Sequence, residues 1–281
     1  MVGGTTTTGA FVGISIASGV ANIGNVSGNT IGSASTPGAI AITSNNPSAM
    51  EVFGIYYFPL AVANVSNNTV AGITAANSGA GSLVVYGIRA FATPTVTNTM
   101  QNNVVGSAAA PITNTAASTA SRTIGLYCQS GACIATGNTI GNLSMSAANV
   151  GTGSAASVIG LWIDDTSATI GNNVAQNTVR SLSNNDPAAA VWATGMQYNG
   201  STTGTHVVQR NFIHSISTPS SSATATVNGI NVQGGLTTYQ NNMVALGGSM
   251  TANSPQINGI NERSAAPTTS TTTASSSAAA P

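Results

Sequence analysis

The chain has 281 residues, of which 42% are hydrophobic and only 4% charged, against about 25% charged in ordinary globular proteins. It carries five Arg, five acids and no Lys, for zero net charge, which excludes neutralising a run of phosphates and so argues against nucleic acid and against a polybasic membrane patch. No apolar run approaches the roughly 20 residues of a membrane span, and the hydrophobic content is too high for wholesale disorder.

Residues 1–10 form a Gly/Thr-rich flanking segment with no basic n-region of a signal peptide. The expectation is a leader already removed, or a segment cut from a longer protein. At Phe11 a pattern begins that recurs as far as residue 263. Its first unit is an apolar residue, Gly, then another apolar residue, as in "FVGISI" around Gly13. Its second unit is Asn, any residue, then Val or Ile, as in Asn29-Thr30-Ile31.

In chain order the pairs are Gly13 with Asn29, Gly54 with Asn68, Gly87 with Asn103, Gly125 with Asn138, Gly160 with Asn177, Gly195 with Asn211, and Gly229 with Asn242; Gly259 has the first unit alone. The glycines recur about every 35 residues, a solenoid period. An apolar residue usually stands three positions before the Asn: Val26, Val65, Met100, Val174, Val208 and Tyr239, with Ala135 in the fourth coil. Ser/Ala/Thr-rich stretches of variable length follow each Asn unit, as expected of surface loops.

Asn, Gly, Thr, Val and Ile are not the composition of helical repeats. After each glycine the residues alternate with period two, the strand signature. Ile55, Leu126 and Leu161 should point inward, and Tyr56, Tyr127 and Trp162 outward. A propeller would need four strands per repeat, whereas two or three are legible here. The expected fold is therefore all-β, a right-handed single-stranded parallel β-helix of about 7–8 coils spanning residues 11–263. Coils stack ~4.8 Å apart. Residues 264–281 read as a Ser/Thr/Ala/Pro-rich low-complexity tail or linker.

"GIYY…VSNNTV" and "GLWID…VAQNTV" resemble the parallel β-helix repeats of the pectin-lyase-like superfold, found in many bacterial surface and secreted proteins. The resemblance covers about residues 11–263. It implies a fold and no single activity, because that superfold hosts lyases, hydrolases, adhesins and inert stalks.

The stacked Asn29, Asn68, Asn103, Asn138, Asn177, Asn211 and Asn242 should form an amide ladder, each Nδ2 donating to the next Oδ1. Asn also tolerates the left-handed conformation that a corner requires. Asn64-Val-Ser66 and Asn67-Asn-Thr69 fit the glycosylation acceptor pattern, but the element constant among coils is only Val65, Asn68 and Val70. Cys128 and Cys133 suit a small disulfide-closed loop in an oxidising compartment, with two buried or free thiols as the other reading. No metal site or cofactor is expected, since no His or second Cys pair accompanies them.

Enzymes acting on polysaccharides through this fold need clustered acids. The single acidic pair is Asp164-Asp165, with Gln129 and Asn199 expected above and below Asp164. Asp186, in an Asp-Pro turn, reads as turn chemistry. The weak catalytic candidates are Asp164, Arg210 and His214; His206, Arg210 and His214 otherwise read as solvated polar residues. Tyr56, Arg89, Tyr127 and Trp162 form an outward stripe and are the ligand-binding candidates, able to stack on sugar rings, unless a variable loop folds over them. Ice binding ranks low, because the Thr residues are irregularly placed. The open ends of a β-helix suggest end-to-end self-association. The reading is an extracellular or cell-surface structural or adhesive β-solenoid, with glycans as candidate partners; the alternative is a polysaccharide-binding or polysaccharide-active β-helix.

Overall fold

The computed structural model describes residues 11–58, 61–165, 170–247, 255–263 and 275–276. It is a parallel β-solenoid in which each coil lays one strand on each of three sheets. The first sheet stacks eight strands: Phe11–Ile16, Met50–Tyr57, Leu83–Phe91, Arg122–Gln129, Val158–Asp164, Trp192–Asn199, Thr226–Gly234 and Gln256–Glu262. The second sheet stacks seven, from Ala21–Ile23 to Thr237–Gln240. The third runs from Thr30–Gly32 through Thr139–Met145 to Met243–Ala245, where Ser275–Ser276 adds one more strand. The solenoid makes about six turns, slightly fewer than expected.

The two sequence units meet inside the coil. A Cβ on Gly54 would sit 2.3 Å from Val70, and one on Gly125 would sit 2.4 Å from Ile140. The same holds for Gly13 with Ile31, Gly87 with Val105, Gly160 with Val179, Gly195 with Ile213 and Gly229 with Val244. The Val or Ile two residues after each Asn therefore packs directly on the backbone of its own coil's glycine. The glycine also interrupts the alternation. Pairing between neighbouring strands skips it, running Phe53 to Tyr86 and then Ile55 to Ile88. As in a bulge, one extra residue lets both Val52 and Ile55 reach the core. It also leaves two outward columns, one before the glycine and one after it.

The Asn ladder is continuous. Nδ2 of Asn29 donates to Asn68 Oδ1 at 2.8 Å, and the same bond links each Asn to the next through Asn242 at 2.9–3.0 Å. The backbone N–H of each donor Asn also reaches that Oδ1, at 3.0–3.1 Å. From Asn68 onward the second Nδ2 hydrogen goes to a carbonyl of the coil before, such as Met100 O for Asn138 at 2.9 Å. An interior rung thus uses both amide hydrogens and both oxygen lone pairs, which is why these side chains can be buried.

Two expectations about this corner are corrected. The left-handed residue is not the ladder Asn but the one before it: Asn67, Asn102, Gly137, Gln176, Arg210 and Asn241 have φ between 53° and 66°. Reversing the chain there frees the Asn itself to point inward. In the first coil Val26 is not a core plug but 94% exposed. Ile23 pairs with Val65 instead and fills that place, because extra residues separate it from Asn29.

Cys128 and Cys133 are joined as a disulfide across 6.3 Å between Cα atoms, linking the end of a first-sheet strand to the start of the second sheet.

Candidate functional site

The two outward columns of the first sheet gather five of the chain's thirteen aromatic residues. The column before the glycine runs Phe53, Tyr86, Ile124, Ile159, Thr194, Asn228 and Asn258. The column after it runs Tyr56, Arg89, Tyr127, Trp162, Gln197, Asn231 and Asn261. Both columns change from rings to amides about halfway along.

In the aromatic half the predicted stripe is assembled in the expected order. Tyr127 stacks on Trp162 with centroids 3.9 Å apart, and Phe53 on Tyr86 at 5.0 Å. The Arg89 guanidinium lies 5.1–6.0 Å from the rings of Phe53, Tyr56, Tyr86 and Tyr127. It also donates to Gln129 Oε1 at 2.7 Å and meets Glu51 at 3.5 Å. Burial raises the Glu51 carboxyl above its ordinary value, and Arg89 opposes that rise. Burial, then the neighbouring Asp164 charge and the hydrogen bond to it, pushes the Tyr127 phenol well up; that hydroxyl donates to Asp164 Oδ2 at 3.0 Å.

The stripe is not an open platform along its whole length. Tyr127 is 4% and Trp162 8% exposed. The connection between Met145 and Val158 folds over the outer face, where Ala156 packs with Ile159 and Trp162. Arg122 stacks on Trp162 at 5.1 Å and holds the connection by donating to the carbonyls of Ala156 and Ser154. Asn149 Nδ2 adds a bond to Ser121 O at 2.8 Å. The accessible end of the stripe is Tyr56 with Phe58 and Phe91; Phe58 is 41% exposed and packs 5.0 Å from Phe91.

The weak catalytic trio is not brought together. Asp164 ends a first-sheet strand, beside Gln129 and Asn199 as expected, with Asn199 Nδ2 donating to it at 2.9 Å. Arg210 is the exposed left-handed residue at the bend between second and third sheets, and His214 lies on the third sheet beside Arg180. Asp164 thus lies on a different sheet from the Arg210 bend and His214. Asp186 caps its turn, accepting from the N–H groups of Ala188 and Ala189 at 2.9 and 2.7 Å.

His206 is corrected from a solvated residue to a buried one. Its Nε2 donates to Thr203 O at 2.7 Å, and its Nδ1 accepts from the Asn172 N–H at 3.1 Å. A carbonyl can only accept, so the proton is on Nε2. Asn172 Nδ2 reaches Asp165 Oδ2 at 2.9 Å and the Tyr198 hydroxyl at 3.1 Å, and Thr237 Oγ1 donates to that hydroxyl at 3.1 Å. Burial pushes the Tyr198 phenol up to about 12. This seam is sealed at the inner corner between first and second sheets, so its chemistry is structural. Period-two phasing alone could have placed His206 inward, four residues before the corner residue Arg210.

Among the described residues no group of three or more His, Cys, Asp or Glu could hold a metal ion, and no helix is long and apolar enough to cross a membrane. No family model, curated protein or solved structure matches the chain.

Proposed function

We propose that this chain is an extracellular or cell-surface β-solenoid with a structural or adhesive role, built to stack end to end, and that its coil is of the right-handed pectin-lyase-like type. The observation that carries the reading is the first sheet, whose outermost described strands, Phe11–Ile16 and Gln256–Glu262, each pair on one side only. They share one repeat pattern, "FVGISI" and "INGINE". A second copy placed head to tail continues that sheet in parallel. Near-absent charge lets such ends meet with few ions to desolvate. Size-exclusion chromatography and negative-stain microscopy test this: rods growing with concentration are expected, and monodisperse monomers at every concentration reject stacking.

A second reading, a polysaccharide-binding solenoid, is favoured by the aromatic and amide columns on the outer face of the first sheet. A polysaccharide-active enzyme draws no such support, since Asp164 lies on a different sheet from Arg210 and His214.

A further inference from the structure

Four buried side-chain atoms without a partner fall on one patch: Trp162 Nε1, Thr194 Oγ1, Gln197 Nε2 and Asn228 Nδ2. Strand pairing makes them neighbours, Trp162 beside Gln197 and Thr194 beside Asn228, in the amide half of the two outward columns. Adjacent coils are ~4.8 Å apart, so the four groups span the area of about one or two sugar rings. Three are N–H donors and the fourth is a hydroxyl. The amide oxygens beside them are already taken, Gln197 Oε1 by Asn231 at 2.7 Å and Asn228 Oδ1 by Asn258 at 2.9 Å. The surplus is therefore of donors, and it calls for oxygen acceptors from outside the chain.

The patch has a roof. Ser157 ties its connection to the Trp192 carbonyl at 2.7 Å, and Gly153 presses on the Gln233 side chain two strands further on. From the other side the Arg263 guanidinium lies 5.1 Å over the Trp192 ring. The roofing stretch "NVGTGSA" offers little apolar surface, and its Val150 points to solvent. A ligand reaches the patch only when this connection lifts off the sheet.

We propose that this patch is a binding cleft for a neutral saccharide unit, with Trp162 Nε1, Thr194, Gln197 and Asn228 supplying hydrogen bonds to its ring and hydroxyl oxygens. The lining of indole, amide and hydroxyl matches a ligand that is polar and uncharged. Of the two cations beside it, Arg122 is committed to the connection's carbonyls and Arg263 lies over the Trp192 ring. This inference deepens the polysaccharide-binding reading and rests on it; it is independent of end-to-end stacking.

Trp162 and Trp192 are the chain's two tryptophans, so selectively excited tryptophan emission reports on this patch. The full chain is titrated with glucose-, mannose- and galactose-based neutral hexasaccharides, and with an oligouronate for comparison. A saturable change with at least one neutral hexasaccharide is expected. Thr194→Val removes only a hydroxyl that has no partner, so it should leave the melting temperature unchanged and weaken binding by about fivefold or more. Three results overturn the proposal: no change up to ~10 mM of any neutral probe (the level of a millimolar dissociation constant), a response to the oligouronate alone, or equal affinity in Thr194→Val. The first would leave ordered water as the partner of the four atoms. If instead calorimetry shows a neutral saccharide binding while tryptophan emission stays fixed, as for binding at the accessible Tyr56–Phe58 end, this cleft is sunk and the wider polysaccharide reading is spared.

Discussion

At the scale of single residues, the ladder Asn is the clearest case of sequence speaking for chemistry. Asn138 accepts two bonds from Asn103 and donates to Asn177 Oδ1 and Met100 O. Asn138→Ala strands buried partners on both sides and should cost about 1–3 kcal/mol, read as a lower chemical-denaturation midpoint; an unchanged midpoint would refute the internal ladder. His214 gives a pH test. Its imidazole is held below the ordinary value, first by burial and then by the Arg180 charge. The folded state therefore resists the proton that the unfolded chain accepts, so this contribution is present above the unfolded value near 6.5 and is lost as pH falls through the folded value. His214→Gln should show a smaller drop in melting temperature than the parent between about pH 7.5 and about pH 5.

At the scale of the coil, the decisive contact joins two units that look independent in the sequence. Gly125 has Ile140 and the Gly160 carbonyl where a Cβ would be, at 2.4 and 2.6 Å. Gly125→Ala should destabilise by ~1–3 kcal/mol or more through overpacking. Adding Ile140→Ala should recover part of that loss, and a double-mutant cycle measures the coupling. Recovery stays incomplete because the carbonyl cannot be trimmed. Additive effects in the cycle would show that glycine and ladder unit do not touch. The corner between second and third sheets works the same way: a left-handed residue, then an inward Asn, then the Val or Ile that seals the glycine. Each residue there has a separate physical task, and the coil closes only when all three are met.

At the scale of the whole molecule, burial is one continuous column of apolar side chains inside three sheets, and the outer faces are left to polar amides and a few rings. Head-to-tail stacking would set Gln256–Glu262 against Phe11–Ile16 of the next copy, with Gly13 over Gly259, Ile14 over Ile260 and Ser15 over Asn261. Lysine at both Ser15 and Asn261 would put like charges face to face across that junction, which is unfavourable in directly opposed strand positions. The double variant gives up the Asn261 bond to Asn231 Oδ1 but should stay folded by circular dichroism and lose the parent's rods by electron microscopy; rods of unchanged length would place the junction elsewhere.

Periodicity determined most of this architecture without a structure. Parallel stacking, the glycine and Asn columns, the inward and outward sets after each glycine and the neighbours of Asp164 all follow from a repeat that places equivalent residues above one another. The departures are local. Val26 failed where extra residues broke the count in the first coil. The left-handed position fell one residue before the Asn. The column before the glycine went unread, because a bulge residue interrupts period two. Only the tertiary structure decided which outward residues are exposed. Tyr127 and Trp162 carry the same pattern as Tyr56, yet a connection of low complexity folds over them. Its course is set by long-range contacts with Arg122, Ser121 and Trp192 that no local pattern encodes. The repeat spacing fixes what lies above what; the loops, free of that spacing, decide what is covered.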